Sequence, residues 1–357
     1  MVPNVSDGVD LADLAQLSVG LLQTTEQQFP RTGPGAKPIC PDWLIALIIV
    51  MAVMKQKTSK SAQWRFVNQP QQRALLADVA GTALFPPRST FLRRYQTAHR
   101  LLQHAIAVQG QQAIDEGIVD ATHTAVDKSL IPAAGPVWHT YDQQAGKQPC
   151  GVDTQAAWGK SEYHGWVYGY SYEVVVSATP EKVVFPLLAS VDVASAAEPK
   201  TFAAKIPRLP ASTETVSADS AYDANALGEA IEYDQKGRRT GRRFLCPENP
   251  RHSGRPKTKP GGADQARAKS RQRRGQRKKF LESARGRKLY RRRSKTVEPF
   301  NSWLKSSFGL TERVWHRGLD NNRTQILAAI FSYQLLVRFN HKRGRNNGKI
   351  QWMLDAL

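Results

Sequence analysis

The sequence predicts an α/β protein, a mixed sheet flanked by helices and preceded by a small all-helical N-terminal domain. Three observations predict it. Up to about residue 112 the apolar residues recur at helical spacing. From Gly117 the texture changes to short β-branched runs. Beyond Glu198 such runs alternate with helical segments, the order of a sheet covered by helices on both faces.

In the N-terminal part, Asp10 to Phe29 sets Leu11, Leu14, Leu17, Leu21 and Leu22 at helical spacing. Pro41 to Met54 is apolar nearly all round and reads as a buried helix. Ser89 to Gln109 follows Pro86 and Pro87, with Ser89 as its N-cap. Strands are then expected in IVDATHTAV (118–126), YSYEVVVSA (170–178) and VVFPLLASVDV (183–193). A helix from Glu198 to Leu209 leads to a buried strand in ETVSADS (214–220). Next come a helix from Asp223 to Tyr233 and a short strand in RRFLCPE (242–248). Helices from Tyr290 through Leu304 and over TQILAAIFSYQLLVRFN (324–340) complete the pattern. The expected domains are 1–112, helical, and 113–340, the sheet domain containing a basic arm at 251–289; residues 341–357 form a tail.

Charge narrows the partners. The 357 residues carry a net charge of +21, which points to a polyanion. From Arg251 to Arg293 there are 18 Lys and Arg against only Asp264 and Glu282, so the rest of the chain is close to neutral. The segment opens as a Pro- and Gly-rich loop and continues in helix formers with almost no apolar residues. It reads either as a solvated, partly disordered arm or as one that orders on DNA phosphates. Arg93, Arg94 and Arg100 give the N-terminal domain a possible DNA contact as well.

Other classes lack support. The longest apolar run, Trp43 to Met54, is shorter than the roughly 20 residues of a membrane span. Asp7, Asp10 and Asp13 replace the basic start of a signal peptide, so a soluble cytoplasmic protein without membrane partners is expected. Cys40, Cys150 and Cys246 have no metal-ligand spacing and read as reduced thiols. No phosphate-binding G-x-x-x-x-G-K-[ST] or dinucleotide G-x-G-x-x-G is present.

Three carboxylates remain to be explained. Asp120 lies in the apolar run Ile118-Val119-Asp120-Ala121-Thr122, and Asp219 ends Thr215-Val216-Ser217-Ala218-Asp219. Each alone reads as turn chemistry, and Glu298 alone as a surface acid. Together, two Asp at the ends of neighbouring strands and an acid on a flanking helix make an oxygen-ligand cluster. Such a set suits Mg²⁺, with Mn²⁺ as a substitute. Two ions per site would stabilise the attacking and leaving oxygens of a phosphoryl displacement. Asp127, Asp142, Asp153 and Asp192 are the alternatives to Asp120.

These residues resemble the DDE transposases of bacterial insertion sequences, which have an RNase H-like catalytic core. Val119-Asp120-Ala121-Thr122 is similar to the family's Asp-x-Thr, and Asp219-Ser220-Ala221-Tyr222-Asp223 to its Asp-x-x-Tyr-Asp. Val297-Glu298-Pro299-Phe300, followed by Leu304-Lys305, is similar to its Val-Glu-x-x-Phe…Leu-Lys. Gly169-Tyr170-Ser171 stands where the family has Gly-Tyr-Lys. Ser294 occupies the place of its Arg, with Arg293 displaced by one and Lys295 on the face of Glu298.

The resemblance spans about residues 115–340. It implies metal-dependent phosphodiester cleavage at transposon ends and strand transfer into target DNA, with Asp120, Asp219 and Glu298 as metal ligands and catalytic residues. It also implies a homodimer on double-stranded DNA at the nucleoid. DNA contacts are expected from Lys305, Arg293 and Lys295, and from Arg273, Arg274, Arg277, Lys278 and Lys279 in the arm. The alternatives are an RNase H-like nuclease without strand transfer and a catalytically inactive DNA-binding relative. Trp158 and Trp166 are candidates to stack on an extruded base. His123, His139 and His164 lack ligand spacing and read as structural or DNA-contacting.

Overall fold

The computed structural model describes residues 9–31, 39–161, 165–250, 265–345 and 348–357. The chain begins with α1 (Leu11–Gln28), α2 (Asp42–Met54), α3 (Lys60–Val67), α4 (Pro70–Ala80), α5 (Arg88–Tyr95) and α6 (His99–Asp115). Asp10 caps α1 by accepting the amide of Ala12 at 2.9 Å. Residues 44–54 of α2 are buried on every side, as a helix apolar all round must be. The single helix expected over 89–109 is broken into α5 and α6. Its start also differs: Pro87 occupies the N-cap position in an extended conformation, and Ser89 lies inside the helix without a capping role.

The sheet comprises β1 (His123–Pro132), β2 (Ala157–Ser161), β3 (Gly165–Ser177), β4 (Pro186–Val193), β5 (Thr215–Ser217) and β6 (Arg243–Leu245). Its order is β2-β3-β1-β5-β6, with β4 also paired to β3. β1 runs antiparallel to β3 and parallel to β5, and β5 runs parallel to β6. This is the RNase H-like mixed sheet, with β2 added along the first half of β3. Strand β3 crosses β1 so closely at Gly169 that a Cβ there would lie 2.1 Å from the Ile131 carbonyl oxygen. α7 (Thr140–Gln144) precedes β2, α8 (Glu198–Ala203) follows β4, and α9 (Asn225–Glu232) joins β5 to β6.

One expected strand is displaced. Gly117 ends α6 in the left-handed region (φ 70°), and the Val119 amide bonds back to the Ala113 carbonyl at 3.1 Å. Ile118, Val119 and Ala121 are therefore a buried connector, and pairing begins only at His123. The apolar pair at 118–119 signals burial, but not a strand.

Side chains alternate across the sheet and build two cores. Ala125, Ile131, Tyr172, Val174 and Val176 join α1, α2, α6, α12 (Val297–Ser307) and α13 (Leu319–Lys342). Val126, Val175 and Leu188 face Phe202, Tyr222, Leu227 and Ile231 on the α8–α9 side. The first core crosses residue 112 without a seam. On α13, the Gln334 amide donates to the carbonyls of Ile106 on α6 (2.9 Å) and Pro186 on β4 (2.7 Å). The last segment packs too: α14 (Gln351–Ala356) buries Met353 and Leu354. Among the described residues no helix is long and apolar enough to cross a membrane.

Candidate active site

Register brings the first two groups together. β1 and β5 pair in parallel at His123–Thr215, Thr124–Val216 and Ala125–Ser217. Continuing by two residues sets Asp127 beside Asp219, each just past a run of buried strand residues. Asp127 shares the sheet face of Ala125, against which α12 packs. From that helix Asn301 donates its amide to Asp127 Oδ2 at 2.8 Å.

A single guanidinium completes the cluster. Arg293, in the turn before α12, reaches Asp127 Oδ1 at 2.5 Å, Asp219 Oδ2 at 3.5 Å and Glu298 Oε1 at 3.7 Å. Burial pushes the Asp127 carboxyl up to about 6. Arg293 opposes the shift, while Asp219 and Glu298 add to it by like-charge repulsion. Burial also works against the charge on Arg293, but Asp127 and Asp219 outweigh it and raise its pKa. Asp127 is largely enclosed, whereas Asp219 and Glu298 open to solvent, with side chains 14 %, 40 % and 60 % exposed. The pocket thus has a buried floor and an accessible mouth.

Asp120 is not part of this cluster. It lies seven residues before Asp127 and three before β1 begins, and its carboxylate accepts the Thr122 amide at 2.7 Å. Burial alone would raise its pKa. Hydrogen bonds from the Thr122 hydroxyl and amide and from Thr179 lower it instead. Asp120 is a turn residue at the strand's entry, and Asp127 is the β1 carboxylate that lies with Asp219 and Glu298 around Arg293. The signal lay in TAVDKSLI, where Asp127 interrupts the apolar alternation of the true strand.

Lys305 turns inward rather than toward a phosphate. Its Nζ donates to the Leu130 carbonyl at 2.7 Å, and burial lowers its pKa, with Asp127 opposing. Asp223 lies just before α9, whose N-cap position is Ala224. Its carboxylate accepts the Asn249 amide at 2.9 Å and pairs with Arg274 at 2.6 Å. Trp158 is an anchor: its indole donates to the Trp138 carbonyl and its ring lies against Tyr168. His139 stacks on Tyr141, and His123 bonds Thr215 at 2.7 Å. Trp166 is 65 % exposed; His164 lies outside the described residues.

The basic arm departs most from expectation. Its first part, 251–264, lies outside the described residues. The remainder comprises α10 (Gln265–Glu282), which packs on α9 and β6 through its arginines instead of standing off in solvent, and most of the short helix α11 (Ala284–Tyr290). Arg273 pairs with Glu229, and Arg277 lies 3.7 Å from Glu229 and 3.5 Å from Glu232. Lys278 pairs with Glu248 at 2.9 Å. Arg273 covers the Tyr233 ring and Arg243 the Phe280 ring. Of the five α10 cations expected to meet DNA, Lys279 alone stays exposed without a carboxylate partner among the described residues. A helix without an apolar face is held by an acidic one on α9, a long-range complement that composition does not reveal.

The cluster is chemically suited to divalent metal. All its donors are oxygens, it already accommodates a cation in Arg293, and the buried Asn301 Oδ1 beside it lacks a partner. Among the described residues, no three His, Cys, Asp or Glu side chains stand in ready-made ligand geometry; Arg293 lies among Asp127, Asp219 and Glu298 instead.

The family model described as the transposase DDE domain matches residues 112–335. No curated protein matches. Among solved structures, the fold is similar to a piggyBac transposase in a synaptic complex with hairpin DNA. Identity is 10 % and the TM-score 0.45, over 98 % of this chain and 79 % of that one.

Proposed function

This chain belongs to the DDE transposase family, and we propose that Asp127, Asp219 and Glu298 form its metal-binding cutting centre. The observation that carries this reading is the convergence of all three carboxylates on one guanidinium, Arg293. The reaction is cleavage of phosphodiester bonds at transposon ends, followed by joining of the freed strand to target DNA.

When bound, Mg²⁺ or Mn²⁺ would supply an activated water and charge neutralisation at the scissile phosphate. The rest belongs to the chain. Asp127 fixes the floor of the site, because the strand, Asn301 and Arg293 hold its carboxylate in place. Asp219 and Glu298 stand at the mouth, where a phosphate can approach. Lys305, tied to the Leu130 carbonyl, keeps α12 in place against β1. Arg293 holds the carboxylates together and would have to release them for the three to hold an ion.

The test is a cleavage assay on DNA carrying the flanking ends, with Asp127→Asn, Asp219→Asn, Glu298→Gln and Asp120→Asn side by side. The first three should bind DNA and leave it uncut; Asp120→Asn should cut. Loss of cutting in a well-folded Asp120→Asn with normal cutting in Asp127→Asn would overturn the assignment.

A further inference from the structure

We propose that the cations which take hold of the DNA backbone are not the carboxylate-paired residues of α10 but a separate set, Arg287, Lys288, Arg291 and Lys295, which line one groove leading to the carboxylates. This deepens the function proposed above and rests on it for the identity of the polyanion.

The groove encloses about 510 Å³ and is lined by these four residues and Ala284. It is formed by α11 (Ala284–Tyr290) and the turn that follows. All four cations are exposed, and none makes an ion pair with another described residue. Their neighbours on α10 differ sharply: Arg273, Arg274, Arg277 and Lys278 are each paired with a carboxylate. The fold therefore clamps four cations of one basic stretch and leaves these four open around a groove. Four like charges around a groove without an acid repel one another, and an anion entering it relieves that repulsion.

The groove's place favours a phosphate chain over a small anion. A backbone corner builds it. Ser283 caps α11 by accepting the Gly286 amide at 3.1 Å, and α11 folds back tightly on the end of α10. A Cβ at Gly286 would meet the Phe280 carbonyl oxygen at 1.9 Å, so the corner admits only glycine. From this corner the cations run toward the cutting site. Lys295 is three residues before Glu298, which bounds their Cα separation at about 11 Å. Arg293, in the same turn, holds the carboxylates. A strand lying along the groove would be neutralised phosphate by phosphate and delivered to the mouth formed by Asp219 and Glu298.

Binding of a short DNA duplex, measured in EDTA across a range of salt, tests this without reference to cutting. The substitutions Arg287→Gln, Lys288→Gln, Arg291→Gln and Lys295→Gln, combined, should flatten the salt dependence. The slope of log affinity against log salt should fall by roughly 3 to 4, about 0.9 for each phosphate no longer neutralised. The charge-keeping set Arg287→Lys and Arg291→Lys should retain the slope. Replacing Arg273 and Arg277 by Gln should loosen α10 yet leave the slope unchanged.

Equal slopes for the wild type and the four-fold Gln variant would overturn the proposal, as would a slope that flattens only with the α10 changes. Full cutting by Asp127→Asn would sink the carboxylate assignment while leaving a flattened groove slope standing, so the two readings fail separately.

Discussion

Asp127→Asn separates the burial of a charge from its use. The folded protein raises this carboxyl to about 6 from the 3.8 of an unperturbed Asp. The gap corresponds to roughly 3 kcal/mol at 1.36 kcal/mol per unit. Because the folded pKa is the higher one, the folded state binds this proton more tightly than the unfolded chain does. Below about pH 4 both states are protonated and Asp127 costs nothing. As pH rises toward 6 the unfolded chain ionises first, and above 6 the full penalty of about 3 kcal/mol is present. Asn carries no charge, so Asp127→Asn escapes this dependence.

Denaturant unfolding in EDTA should therefore show the wild type losing about 3 kcal/mol relative to the variant between roughly pH 4 and 7. On the same preparations, Mg²⁺-dependent cutting should fall by on the order of 10⁴-fold in the variant with DNA binding retained. A flat stability difference across that range, or a wild type that gains on the variant as pH rises, would refute the reasoning. The first result would mean that the pair with Arg293 cancels burial, the second that it outweighs burial.

Other expectations concern the surrounding supports. Arg293→Gln should tighten Mn²⁺ binding, read by calorimetry, by roughly tenfold or more, since a charge-assisted contact worth about 1.5–3 kcal/mol no longer competes; weaker or unchanged binding would place guanidinium and metal apart. Glu229→Gln should speed hydrogen exchange over residues 265–282 while leaving the central strands protected, because Arg273 and Arg277 lose a shared anchor; uniform exchange across the chain would argue against a clamp. Gly169→Ala should cost about 1–3 kcal/mol or more in thermal or denaturant unfolding, since the added carbon meets the β1 backbone; a neutral outcome would mean that the two strands can part there at no cost.

Sequence reasoning succeeded where local signals and tertiary structure agree. The buried strands at 170–178 and 186–193, the all-apolar α2 and the long α13 have periodicities that packing reinforces. Asp219 follows a buried strand directly and Glu298 begins a helix, so their positions could be read from neighbouring residues. Asp127 was harder. The apolar run at 118–121 imitates a strand, while Lys128 inside the real one imitates a loop; its backbone pairs with Glu173 of β3, and its ammonium is satisfied by Ala194, Ala196 and Glu198. β2, with Trp158, Gly159 and Lys160, is a strand only because β3 runs past it. The arm failed for a related reason. Glu229, Glu232, Asp223 and Glu248 lie some 30 to 50 residues away from the basic residues they hold.

The core that runs unbroken from α2 through α6 to α13 bears on how this protein can be handled and how it can change. Gln334 ties three segments that lie far apart along the chain, and α2 has no face that water could reach. A fragment starting near residue 113 would leave one flank of α13 and of β4 bare, an oily scar that invites aggregation. The leading helices are therefore not a detachable reader that shuffling could exchange for another. Replacing them would demand matched changes across the sheet's flank, so innovation in this lineage has easier purchase at the groove's rim, where a cation can come or go without disturbing anything beneath it.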